Sequence, residues 1–286
     1  MKSKITLIAA LLAAHAGSSI AAVSADEAKK LGTTLTGIGA EKAGNKEGTI
    51  PEYKGGLTTP PAGYKKGDGI RPDPFASEKP LFSIDAKNMD KYADKLTEGV
   101  KTLMKKYPTY RIDVYPTHRT AAYPKYILDN TAGCAVSAKT KNNGISMEGC
   151  HAGIPFPIPK TGNEAMWNHL VRFRGEALQQ KFQAWNVDSS GRAILSTEGS
   201  INQDFPYWDN SKKSSDLLYK LKIQYTGPAR RAGEALMVHD PLDFADKGRR
   251  AWQYLPGQRR VKLAPDVAFD TPNPGTAGAT TSDDAS

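Results

Sequence analysis

The chain has 286 residues (30.9 kDa), of which 39% are hydrophobic, and it carries a formal charge of +9 with 26 glycines and 19 prolines. That length holds one large or two ordinary domains, and the composition describes a loop-rich protein. The basic residues are scattered in doublets such as Lys105-Lys106 and Arg230-Arg231 with no nucleic-acid module beside them. They read as a solvated surface or, more sharply, as a surface suited to an anionic membrane, and nucleic acid is set aside.

Lys2 and Lys4 precede an apolar run from Ile5 to Ala14, and small residues follow through Ala25. This is the pattern of a cleavable secretory signal over 1–22, too short to span a bilayer, with Ala21, Ala22 and Ala25 all suitable at the cleavage point. No cysteine precedes Cys134, so lipid attachment is not expected and the product should be a periplasmic protein. Losing Lys2 and Lys4 leaves 37 basic against 30 acidic residues, a charge of +7.

Ser24 and Glu27 have capping-box spacing, opening a short helix that Gly32 should end. Residues 23–82 then form an extended Gly/Pro-rich wrap, with Tyr53, Tyr64 and Phe75 as its anchors. Met89, Tyr92, Leu96, Val100, Leu103 and Met104 make one apolar stripe, predicting a helix from Ala86 to Lys106 capped by Asp85. Such a basic amphipathic helix packs on a sheet or lies on a membrane. Tyr110 to Tyr115 alternates and ends at Pro116, which predicts a strand.

The two cysteines, Cys134 and Cys150, flank a turn-like Asn142-Asn143-Gly144. In an oxidising compartment they are expected to form one disulfide. The competing reading, haem attachment at Cys150-His151, needs a cysteine where Met147 stands.

From Gly153 to Gly175 the chain first alternates Pro155, Pro157 and Pro159 with Ile154, Phe156 and Ile158, an extended strap that cannot be a central strand. A helix follows, with a Thr161/Glu164 capping box, an apolar stripe at Met166, Leu170 and Phe173, and Gly175 in the C′ place. It is expected to act as a lid. Strands are then predicted over 178–187, 193–201, 216–226, 235–239, 249–255 and 258–263, the last pair a hairpin at Pro256-Gly257, where Pro-Gly favours a type II turn and so a relaxed or bulged local geometry. From residue 271 the composition is that of a disordered tail.

These elements predict an α+β, mainly β fold: a curved antiparallel sheet or unclosed β-barrel covered by helices, forming one domain over 83–270. No nucleophile elbow, metal-ligand pair, P-loop or dinucleotide fingerprint occurs, so no catalytic residue, metal or cofactor is assigned and an enzyme is not expected. His118 reads as a turn residue, and His239-Asp240 as an ordinary neighbouring pair. The positive signal is aromatic and aliphatic. Trp167, His169, Phe182, Trp185, Tyr219, Leu221, Ile223, Trp252 and Tyr254 either pack a core or line an apolar cavity for a lipid or acyl chain.

Several motifs run through the chain: P-E-Y-K-G-G-L from Pro51, Y-P-T-Y-R-I-D-V-Y-P-T-H-R-T from Tyr107, G-I-P-F-P-I-P-K from Gly153, and R-R-A-W-Q-Y-L-P-G-Q-R-R-V from Arg249. With these it resembles an exported proteobacterial family related to outer-membrane lipoprotein-sorting proteins of the LolA/LolB type. The resemblance implies an unclosed barrel with a helical lid and a hydrophobic cavity, periplasmic location, and partnership with an inner-membrane transporter of the resistance-nodulation-division (RND) class or an outer-membrane protein. Members of that family continue with further strands, so the chain is expected to be C-terminally truncated. The reading with most support is a periplasmic carrier of a hydrophobic ligand. The alternative is a non-enzymatic accessory subunit of an RND-type envelope transporter.

Overall fold

The predicted strands of the second half pair in the order they leave the chain. In the computed structural model, which describes residues 23–264 except 68 and 70, and residues 270–273, 276, 278, 280 and 281, they form one six-stranded antiparallel meander that does not close. The signal segment predicted over 1–22 lies outside the described residues, as does most of the tail predicted from 271. In the described part of that tail, Pro272 and Thr281 form an isolated bridge. The described residues fall into two compact units: residues up to Ala40 together with Pro124 onward, and Glu41–Tyr123. This division differs from the expected one, a wrap over 23–82 followed by a domain over 83–270.

The sheet belongs to the first unit. Ala177–Val187 (β5), Ala193–Asp204 (β6), Leu217–Gly227 (β7), Ala235–Pro241 (β8), Arg250–Leu255 (β9) and Arg260–Leu263 (β10) stand in that order across it, with β5 and β10 at the edges. The period-2 alternation of β7 fixes its register, because a one-residue slip would exchange its apolar and lysine faces. Irregularities at Ala184/Trp185, Glu198/Gly199 and Leu217/Tyr219 adjust the twist. The β9–β10 connection is not the expected type II turn. Gly257 is not left-handed, whereas Arg259 is, at φ 49°, so the loop closes as a longer turn with Gln258 and Arg259 both donating to the Leu255 carbonyl.

Ala25–Ala28 (α1) is capped by the Ser24 hydroxyl, which accepts from the Glu27 amide at 3.1 Å. Glu27 does not complete a capping box; its carboxylate pairs with Lys160. Lys125–Ser137 (α3) is a helix that the sequence reading passes over. It buries Ile127, Thr131, Cys134 and Ala135, one face at i, i+4, i+7 and i+8, and Pro124 starts it. The expected disulfide joins Cys134 on this helix to Cys150. Between them Lys139–Lys141 (β3) and Ser146–Glu148 (β4) form a hairpin turned by Asn142, Asn143 and Gly144, all at positive φ.

The proline strap is bound at several points. The Thr131 hydroxyl accepts from the Ile154 amide (2.9 Å), and Asn168 brackets Phe156 by donating to its carbonyl (2.6 Å) and accepting from its amide (3.0 Å). Gly162–Leu170 (α4) has the predicted capping box. Its buried residues are Glu164 and Trp167, with Val171 following, whereas Met166 is 55% exposed, so the inward stripe is one residue out of phase with the predicted one. The helix stops at Leu170, and Gly175, left-handed as expected, comes only after an extended exit. The Trp167 ring nitrogen donates to the Gly144 carbonyl at 2.8 Å and its ring meets Phe244, so the helix packs on the β3–β4 turn and on the chain that follows β8.

In the second unit, Phe82–Ile84 (β1) pairs with Ile112–Val114 (β2). The helix predicted over 86–106 is broken: a 3₁₀ segment runs Met89–Lys95, Leu96 is extended, and Glu98–Lys106 (α2) is capped by Thr97 rather than Asp85. Tyr92, Leu96 and Val100 of the apolar stripe pack across the break with Ile84, Tyr110, Ile112 and Val114 around Met89 and Met104, whereas Leu103 is exposed. The Gly/Pro-rich segment is tied down by Arg119, whose guanidinium donates to the carbonyls of Glu41 (2.6 Å) and Lys42 (3.1 Å), and by the Tyr53 hydroxyl donating to the Ala121 carbonyl. His118 is more than a turn residue: it stacks on Phe75 at 3.8 Å and bonds Glu78 at 2.7 Å.

Candidate functional site

Strand parity and register divide the candidate ligand-binding residues between the two faces of the sheet. Phe182, Tyr219, Leu221 and Ile223 share one face. Trp185, Trp252 and Tyr254 lie on the other. Trp167 is buried at 2% exposure in its structural hydrogen bond, and His169 is exposed at the end of α4, 3.2 Å from Arg172. The nine residues therefore do not converge on one cavity among the described residues.

On the first face, Ile201, Ile223 and Leu236 stand side by side across β6, β7 and β8, and Leu221 stands beside Val238 in the next row. Leu236 and Val238 were not among the predicted residues, although the alternation in Ala235 to His239 carries them. Ile201, Leu221, Ile223 and Leu236 are only half-buried. Phe182 lies edge-on to Tyr225, whose own ring carries the Arg231 guanidinium at 4.2 Å.

One end of this face is closed by a polar cluster. Arg249 donates to both carboxylate oxygens of Asp240 at 2.7 Å, and Tyr219 bonds the same carboxylate. Burial, and after it the negative charge of Asp240, push the Tyr219 hydroxyl pKa above the ordinary tyrosine value. The Arg249 pKa is raised in turn, chiefly by its hydrogen bond to Asp240. Buried Tyr207 and Trp208 stand near this end of β7; the Trp208 ring nitrogen donates to the Val171 carbonyl at 3.0 Å, and Phe173 meets its ring edge-on. These groups anchor the sheet. They hold no nucleophile–base pair and no metal-like set among the described residues.

The second face carries Met237, Trp252 and Leu263 in one row and Ala235, Tyr254 and Val261 in the next. His239 meets the Trp252 ring edge-on at 4.9 Å, and the Arg250 guanidinium lies 5.1 Å from its centroid. The His239 pKa is lowered, first by burial and then by Lys220 and Arg250.

Two cavities lie away from both faces. One of about 10 Å³, lined by Ala135, Phe156 and Glu164 among others, has room for roughly a single water. The other, about 370 Å³, is polar, with Lys141, Glu148, Asp216, Asp243 and Lys247 in its walls. The aliphatic row stands on the sheet and outside the walls of these two cavities.

A family model described as protein of unknown function (DUF1329) matches residues 83–286. An uncharacterized protein of Pseudomonas aeruginosa is 42% identical over 267 residues, an alignment covering 92% of this chain and 58% of that protein. The chain thus spans little more than half the length of this curated relative. A solved outer-membrane lipoprotein-sorting protein domain from Vibrio parahaemolyticus is weakly similar, with 16% identity and a TM-score of 0.32 over 42% of this chain and 46% of that one.

Proposed function

The chain belongs to the DUF1329 family, and from its own surface we propose that it is a periplasmic, non-enzymatic carrier of a hydrophobic ligand, a lipid or acyl chain. The observation that carries this reading is the half-buried aliphatic row Ile201–Ile223–Leu236, with Leu221 beside it, on one face of the sheet. Apolar side chains left half in water gain free energy when an alkyl chain covers them, at about 0.8 kcal/mol per buried methylene of the ligand. Part of that gain is offset by the lost freedom of the ligand, so affinity should rise with chain length. The mechanism is passive: burial against the sheet, with no covalent step. The chain would receive or deliver its ligand at an inner-membrane RND-type transporter or an outer-membrane protein.

Titration of fluorescent fatty acids of increasing chain length into the purified mature chain tests this. Binding that strengthens with length and is lost in Ile223→Asp and Leu236→Asp supports it. Absence of uptake, together with native mass spectrometry showing no copurified lipid, sinks it. A second reading, an accessory subunit of the same transporter class, draws on the edge strands β5 and β10, which among the described residues each pair on one side only. It requires crosslinks from β5 or β10 to an envelope transporter.

A further inference from the structure

The sheet face opposite the aliphatic row has its own organisation. Met237, Trp252 and Leu263 in one row, and Tyr254 and Val261 in the next, form an apolar island of two aromatic and three aliphatic side chains over β8, β9 and β10. Val261 is 62% exposed, Leu263 54% and Met237 36%. Cations border it. Lys222 sits beside Met237 in the same row, and the adjoining row is Lys220, His239 and Arg250, with Arg250 against the Trp252 ring. Asp204 is the carboxylate at the end of that adjoining row, 3.5 Å from Lys220.

An apolar island alone would not say what covers it. Its chemistry does. Tryptophan and tyrosine favour the headgroup level of a bilayer, where an apolar ring and a polar edge are both accommodated. Exposed valine, leucine and methionine beside them can enter the acyl boundary, while lysine and arginine around the rim face lipid phosphates.

We propose that this face of β8–β10 docks on the surface of an anionic bilayer, with Trp252, Tyr254, Val261 and Leu263 at the interface and Lys220, Lys222 and Arg250 against the headgroups. The inference does not rest on the carrier reading, which uses the other face. If both hold, the ligand wall points away from the docked surface.

The test is co-sedimentation of the mature chain with vesicles of phosphatidylcholine alone or with one-third phosphatidylglycerol. Binding should appear with the anionic vesicles. It should weaken about tenfold or more in the pair Lys222→Glu, Arg250→Glu, and should fall away in about 1 M salt, where the screening length is near 3 Å. Trp252→Ser with Val261→Ser should reduce it under the same conditions, and unchanged circular dichroism and urea midpoint in each of these two pairs would exclude a folding defect. The proposal is overturned if anionic vesicles leave the protein in the supernatant or if neutral vesicles bind it equally well. It is also overturned if the charge reversals leave binding unchanged, or if the face is closed by dimerisation at the concentrations used.

Discussion

Arg249 grips Asp240 through two parallel hydrogen bonds of 2.7 Å each, where the Asp240 side chain is 3% exposed and the Arg249 side chain 15%. The two residues flank one loop, Asp240 next to last in β8 and Arg249 just before β9, so the pair fixes how that loop returns to the sheet. Removing one partner strands a buried charge. Asp240→Asn or Arg249→Met should therefore cost about 3–5 kcal/mol in urea unfolding. Replacing the whole cluster, as Asp240→Leu with Arg249→Met and Tyr219→Phe, which removes the hydroxyl that bonds the same carboxylate, should recover most of that loss; a triple variant as unstable as the worse single one would contradict this account.

The disulfide closes a separation of 16 residues, tying α3 to the segment after the β3–β4 hairpin. In the chain-entropy model a loop of that size contributes about 3 kcal/mol. The Cys134→Ser, Cys150→Ser variant should lose about that much by urea titration, and non-reducing peptide mapping of exported protein should show the crosslinked pair. Two free thiols in that material would refute it.

Much of the sheet was legible because β7 keeps a strict alternation, with Tyr219, Leu221, Ile223 and Tyr225 on one face and lysines on the other, and its neighbours follow the same rule. The Asn142-Asn143-Gly144 turn was legible because those residues accept positive φ. Helix α3 was not. Its Thr131, Gly133 and Cys134 are weak helix formers, and packing of one face, not propensity, makes it helical. The break at Leu96 was hidden because the apolar stripe continues across it; Thr97, a ready N-cap, was the available signal. The division of the candidate residues between two faces was legible within β5, where Phe182 and Trp185 differ in parity. It was not legible between strands, since whether Trp252 joins Ile223 depends on the register set by loops and bulges.

Gly39 approaches the proline strap so closely that a Cβ there would lie 1.6 Å from the Pro157 carbonyl oxygen, and its φ is +92°. Gly39→Ala should thus destabilise the first unit by more than about 2 kcal/mol, through strain and displacement of the strap. Gly191, also left-handed at +84° but facing open space in the same unit, supplies the control: Gly191→Ala should cost only about 1 kcal/mol. Equal thermal shifts for the two would remove the packing argument.

Arg119 holds the extended part of the second unit by donating to backbone carbonyls of Glu41 and Lys42, beside the Tyr53 ring at 5.3 Å. Arg119→Ala takes away the donors and the ring contact together. Limited proteolysis should then cut between residues 41 and 81 several-fold faster, because opening of that segment becomes less costly. Arg119→Lys, which keeps the charge but not the fork, should fall between the two. Unchanged cleavage in Arg119→Ala would mean the segment is held by other contacts.

Acid should weaken the protein partly through Asp209. Its carboxylate accepts from the Lys212 ammonium at 2.6 Å and from the Ser211 hydroxyl at 2.5 Å and amide at 3.1 Å. Lys212 first, and then Ser211, bring its pKa from 3.8 down to about 2. A carboxyl group depressed in the folded state binds protons more readily when unfolded. It therefore contributes stability above its unfolded value and loses that contribution as pH falls through the folded value. For Asp209 the loss runs from about pH 4 to about pH 2. Asp243 has its pKa lowered by the Ser146 hydroxyl and adds to the same acid limb. Asp209→Asn should have a lower urea midpoint than the parent at neutral pH, with the two curves converging as pH approaches 2. Convergence rather than a constant offset is the diagnostic outcome, because it distinguishes lost ionisation from lost packing; parallel curves would show that the carboxylate charge contributes nothing.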